Sequence, residues 1–179
     1  MPYAYPNGLR TYYEVQGEGD PVLLIHGAAQ DTLSWRFNIE AIAEAGYRVY
    51  AIDLPGHGKS ALAQSGPIDD LEVYALRTLD FMDAVGLKRA VVAGHSMSGG
   101  IVLYMALHRP EAVRAAIPLD GAGFTNSTYN EDFFDFVSIN PTDWFEVNFR
   151  TICSPNTSRQ RVEEVAFDVL RCPPAVAWN

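Results

Sequence analysis

The chain has 179 residues, of which 48% are apolar and 20% charged, with a formal net charge of −9. That is enough for one domain with a sizeable core, in an ordinary soluble composition. The acidic balance argues against non-specific attraction to nucleic acid or to an anionic membrane surface.

The N-terminus has no basic region leading into an apolar run, and no apolar run approaches the roughly 20 residues that span a bilayer. A soluble, cytoplasmic protein is expected. Leu9 to Val15 alternates, with Leu9, Thr11, Tyr13 and Val15 on one side, and reads as a strand or hairpin ending in the turn Gly17-Glu18-Gly19-Asp20-Pro21. Val22-Leu23-Leu24-Ile25 is short and continuously apolar, which suits a parallel strand buried on both faces. The same kind of run recurs at Val49 to Ile52, Ala90 to Ala93 and Ala115 to Ile117.

Helical patterns fill the gaps. Leu33 to Ala45 reads as one helix stopped by Gly46, and Leu71 to Val85 as another closed by Gly86. A third is expected from just after Ser96 to about His108. Alternating strand and helix gives an α/β architecture with a mostly parallel sheet flanked by helices. From residue 124 onward aromatics become dense, Asp143 with Glu146 and Thr157 with Gln160 are spaced as capping boxes, and Pro173-Pro174 ends the last helix. The expected organisation is a core over 1–123 and a helical cap over 124–179. Cys153 and Cys172, the two cysteines, are expected as separate thiols, with a disulfide between them as the alternative.

The chemistry concentrates in Ala90-Val91-Val92-Ala93-Gly94-His95-Ser96-Met97-Ser98-Gly99-Gly100. A buried strand runs through small residues straight into a helix, so Ser96 can sit on a tight turn with its hydroxyl exposed. Bulk at position 94 or 98 would collide with neighbouring backbone. Met97 becomes the first helical residue, its N–H directed at the place where an oxyanion would form. The alternative for Ser96 is a helix-capping serine.

Gly94-His95-Ser96-Met97-Ser98 resembles the G-x-S-x-G elbow of the α/β-hydrolase superfamily, with Ser98 where the last glycine usually stands. His26-Gly27-Ala28-Ala29 resembles that family's oxyanion loop, and Asp53-Leu54-Pro55-Gly56-His57-Gly58-Lys59-Ser60 its D-x-x-G-x-G-x-S loop. The resemblance runs from about Leu9 to Gly121. It implies Ser96 as nucleophile and the Ala28 and Met97 N–H groups as the oxyanion hole.

The same resemblance implies a chain order of serine, acid, histidine. After Ser96 the only histidine is His108, twelve residues along one helix and so about 18 Å away. His95 should point away from the hydroxyl, and His26 and His57 read as structural. The catalytic histidine is therefore expected outside these residues, in a longer protein whose further strands would cover the Ala115 edge strand. Asp120, at the end of that strand, is a tentative acid, with a turn aspartate before Gly121 as the alternative. Asp53 is expected to anchor its own loop.

The leading expectation is a serine hydrolase of small ester-like or acyl substrates. C–C hydrolases, perhydrolases and lactonases share the layout, as does a ligand-binding protein that kept the pocket and lost the base. Epoxide hydrolases and haloalkane dehalogenases resemble it but carry aspartate at the elbow. No cofactor and no metal is implied, because the glycine loops lack dinucleotide spacing and no ligand cluster is apparent.

Overall fold

A computed structural model describes residues 3–63, 66, 68, 70–121 and 155–170. Its strands are β1 (Tyr3–Ala4), β2 (Thr11–Gln16), β3 (Asp20–Ile25), β4 (Tyr47–Ile52), β5 (Ala90–His95) and β6 (Val113–Leu119). They form one sheet in the order β1-β2-β4-β3-β5-β6. β1 pairs antiparallel with β2, β2 antiparallel with β4, and β4, β3, β5 and β6 run parallel. The expected parallel sheet is present, with an antiparallel margin at its N-terminal side.

The continuous apolar runs are explained by burial on both faces. Leu23 and Ile25 of β3, Tyr50 and Ile52 of β4 and Val92 of β5 join one core. Val22 and Leu24, Val49 and Ala51, and Ala93 join a second on the opposite face. Successive side chains of a strand point to opposite sides, so a strand covered twice must be apolar at every position. The helices α2 (Leu71–Ala84) and α3 (Met97–His108) cover the first face, with Phe81, Met82, Ile101 and Met105 fully buried. α1 (Ile39–Glu44) covers the second, where Trp35 and Ile39 pack.

Two expectations need correction. Leu33 to Ala45 is not one helix: a 3-10 turn spans Thr32–Trp35, and α1 starts only at Ile39. Asp31 caps the turn by accepting Leu33 N–H at 2.9 Å, and Asn38 N–H closes on the Trp35 carbonyl at 2.8 Å, which breaks the helical ladder between them. Gly46 does stop α1, at φ +90°.

In the segment expected to form a cap, α4 (Arg159–Leu170) is capped by Ser158, whose hydroxyl accepts Arg161 N–H at 3.2 Å. Thr157 and Gln160 are therefore one residue out of register for the expected box, and Gln160 instead reaches Glu164 at 3.0 Å. The Asp143 box, both cysteines and Pro173-Pro174 lie outside the described residues.

Among the described residues no helix is long and apolar enough to cross a membrane. Among the described residues β6 lies at the end of the sheet and pairs with β5 alone, and Ile117 and Leu119 are exposed.

Candidate active site

β5 ends at His95 and α3 begins at Met97, so Ser96 alone turns the chain from strand to helix. It does so at φ 52°, ψ −117°. A positive φ is costly for a residue with a Cβ, on the order of 1–3 kcal/mol, and persists only where its surroundings enforce it. Those surroundings are small residues in close approach. A Cβ on Gly94 would overlap the Ser98 carbonyl, and one on Gly99 would sit 2.7 Å from the Gly121 Cα. The Ser96 backbone is tied down on both sides: its N–H donates to the Leu119 carbonyl and its carbonyl accepts Gly99 N–H, each at 2.9 Å.

The Ser96 hydroxyl, by contrast, makes no capping hydrogen bond to α3. The capping alternative therefore does not hold. Ser98, the departure from the usual final glycine, is fully buried and its hydroxyl donates to the His26 carbonyl. Here the extra side chain is used to tie the elbow to the loop after β3.

In that loop the buried His26 ring fixes one peptide plane. Leu54 N–H donates to Nε2 at 3.0 Å, so Nε2 is the unprotonated nitrogen and Nδ1 carries the proton, which it gives to the Gly27 carbonyl at 2.7 Å. Burial, reinforced by the neighbouring His57, holds the His26 imidazole well below its ordinary pKa and so neutral.

No peptide bond among the described residues is cis, and in a trans unit C=O and N–H point in opposite directions. With the Gly27 carbonyl turned into the His26 ring, Ala28 N–H faces the other way, and Ala28 itself is exposed. A Cβ added to Gly27 would come within 3.3 Å of Ser96 Cβ, so this turn lies against the elbow. Met97, as the first residue of α3, has an N–H without an intrahelical acceptor. Ser96, with Met97 next in the chain, thus lies against the Gly27-Ala28 turn.

Asp120 stands at the end of β6 at φ 51°, exposed. Its charge acts on His95, whose pKa burial pushes down and Asp120 pulls back up. His108 is remote, pairing at Nε2 with Glu72 of α2 at 2.7 Å.

Asp53 anchors its loop, as expected. One carboxylate oxygen accepts Thr32 N–H at 2.8 Å and the other Lys59 N–H at 2.7 Å. Gly58, at φ +50°, leaves no room for a Cβ beside that carboxylate. Burial raises the Asp53 pKa against these two donors. The His57 ring packs 4.9 Å from that of His26, donates from Nδ1 to the Pro55 carbonyl at 3.1 Å, and leaves Nε2 buried without a partner. Burial lowers its pKa to about 4. Among the described residues no group of His, Cys, Asp or Glu side chains is arranged to hold a metal.

One contributor was not visible in the sequence. Gln30 Oε1 accepts Gly27 N–H at 3.0 Å and lies 3.3 Å from His95 Nδ1. Only the pairing of β3 with β5 brings these two loop ends together.

A parallel sheet sandwiched by helices, with a strained serine between strand and helix beside a glycine turn, defines an α/β-hydrolase-type site. Residues 20–172 match the α/β hydrolase fold family, and the chain belongs to it. It is 33% identical over 157 residues to bifunctional epoxide hydrolase 2 of Sus scrofa, covering 88% of this chain and 28% of that one. It is 38% identical over 135 residues to the dihydrolipoyllysine-residue acetyltransferase component of the acetoin cleaving system of Cupriavidus necator, covering 73% and 35% respectively. The chain therefore spans about a third of the length of these relatives. Among solved structures, a thermophilic esterase from Thermogutta terrifontis superposes with a TM-score of 0.84 at 23% identity, over 98% of this chain and 70% of the esterase. That likeness concerns the fold.

Proposed function

We propose that the protein is a serine hydrolase of an ester-like or other small acyl substrate, with Ser96 as nucleophile. The observation that carries this reading is the Ser96 backbone, held at a costly positive φ by tight packing while its hydroxyl caps nothing. Ser96 Oγ attacks the acyl carbon, and the Ala28 and Met97 N–H groups hold the oxyanion that develops. Expulsion of the leaving group gives an acyl-enzyme, which water cleaves.

The base that takes the hydroxyl proton is a histidine other than the four in these residues. His26 and His57 are buried and spent on loop contacts, His95 faces Gln30, and His108 pairs with Glu72. Asp120, directly after the strand that pairs with β5, is the proposed acid. Residues 124–179 are proposed to form the cap that encloses the substrate over this site.

The epoxide hydrolase relative does not redirect the chemistry. The elbow residue here is serine, and a serine ester of an acyl group is hydrolysed by the same machinery that forms it. The full-length protein is expected to hydrolyse a p-nitrophenyl ester, and Ser96→Ala to lower kcat by at least about a thousandfold with little change in fold. Undiminished hydrolysis in Ser96→Ala would remove the nucleophile. No hydrolysis of any acyl ester by the wild type would move the ligand-binding reading to first place.

A further inference from the structure

We propose that Gln30 is a positioning residue for the oxyanion loop, its single side-chain oxygen clamping Gly27 of that loop to His95 of the nucleophile elbow. This deepens the serine-hydrolase reading and rests on it.

The chemistry of the three partners fixes the arrangement. Gly27 N–H can only donate, so the Gln30 atom 3.0 Å from it must be the amide oxygen. The same oxygen lies 3.3 Å from His95 Nδ1, so the proton of that imidazole sits on Nδ1 and points at Gln30. One oxygen thus receives a donor from the loop after β3 and a donor from the residue immediately before Ser96. The two partners are 65 positions apart for Gln30 and His95, so the clamp joins two elements that meet only through the sheet.

What the clamp controls is a direction. The Gly27 carbonyl is held by His26 and the Gly27 N–H by Gln30, so the peptide units on both sides of Gly27 are fixed. The Ala28 N–H, which belongs to the second of these units, then has its orientation set from two sides. There is no slack to absorb a change: a Cβ at Gly27 would already sit 2.9 Å from Gln30 Oε1 and 3.0 Å from His95 Nδ1. Without Gln30 the first peptide unit loses its acceptor and can rotate. His95 loses the partner that fixes its tautomer. The oxyanion donor and the nucleophile are then no longer held at one separation.

Gln30→Leu in the full-length protein removes the acceptor at similar volume. The expected result is a fall in kcat for p-nitrophenyl acetate of about tenfold to a hundredfold, with KM changed less than about twofold. Affinity for a trifluoromethyl ketone, which forms an oxyanion adduct on the serine, should fall in parallel with kcat/KM. Gln30→Glu keeps an oxygen at the same place and should raise the pKa of His95, read by NMR of its imidazole.

An unchanged kcat in Gln30→Leu, or a loss in melting temperature alone, would overturn the clamp. If Gln30→Leu does not fold, an unshifted His95 titration in Gln30→Glu overturns it instead. Ser96→Ala separates the two claims. An inactive Ser96→Ala beside a fully active Gln30→Leu sinks only the clamp, whereas an active Ser96→Ala sinks the reading beneath it.

Discussion

The C-terminal ends of β4 and β5 lie at the same end of the parallel strands of one sheet, yet they treat polar groups in opposite ways. After β4, Asp53 is buried and both of its oxygens accept backbone N–H groups. Its carbonyl takes the Ser60 hydroxyl at 2.7 Å, and that same Ser60 oxygen accepts Tyr12 N–H at 2.8 Å. Nearly every polar atom there has a structural task. After β5, Ser96 is only half buried, its backbone is strained, and its hydroxyl does not cap the helix it precedes.

On the proposed reading, the difference is how the fold keeps a nucleophile available. Ser60 is a serine spent on structure, and Ser96 is one held back from it. The cost of holding it back is borne by the close packing of Gly94, Gly99 and Gly121, and by the loop after β4, which braces the His26 ring through Leu54 N–H.

The largest consequence of this contrast concerns acid. His57 has a folded pKa of about 4 against an ordinary 6.5, and His26 is likewise depressed, each chiefly through burial. The unfolded chain then binds protons that the folded one refuses, so stability is full above about pH 6.5 and declines as pH falls toward 4. His57 alone should contribute a loss of about 3 kcal/mol between pH 7 and pH 4. Asp53 acts in the opposite sense at the lower end, because its raised pKa lets the folded state take up a proton first. Denaturant titrations of wild type and His57→Asn across this range check the claim. His57→Asn can keep the donor to Pro55 but does not titrate, so it should remove the His57 share of the slope. An equal slope in both proteins would contradict it.

A smaller effect is expected at the carboxylate itself. Asp53→Asn keeps one acceptor oxygen and puts an NH2 group against one of the two backbone donors. The expected cost is about 2 kcal/mol, measured as a lower urea midpoint. A neutral result would mean that the loop after β4 is not held as tightly as its geometry implies. Smallest, and opposite in sign, is Ser96→Gly. Relieving the positive φ should stabilise the fold by about 1 kcal/mol while ester hydrolysis is lost. A destabilised Ser96→Gly would show that the elbow is not strained.

The four parallel strands were legible because double burial writes itself as short, unbroken apolar runs. The elbow was legible because a strand-to-helix reversal leaves room only for small residues, and those are visible at Gly94, Ser98 and Gly99. The features hidden from the sequence are very short or depend on contacts between distant positions. β1 has two residues, too few for any periodicity. The break before α1 depends on Asn38 closing onto Trp35. Ser98 reads as a mere substitute for glycine until His26 is seen across the sheet to accept its hydroxyl. Gln30 is one polar residue in a loop until β3 and β5 bring Gly27 and His95 to it.

The most direct measurement is to treat the full-length protein with a fluorophosphonate and map the adduct by mass spectrometry of its peptides. The account predicts a single covalent phosphonyl adduct on Ser96, absent in Ser96→Ala, with Ser60 and Ser98 unlabelled. Failure of Ser96 to label in a protein that hydrolyses esters, or an adduct on another residue, would contradict it.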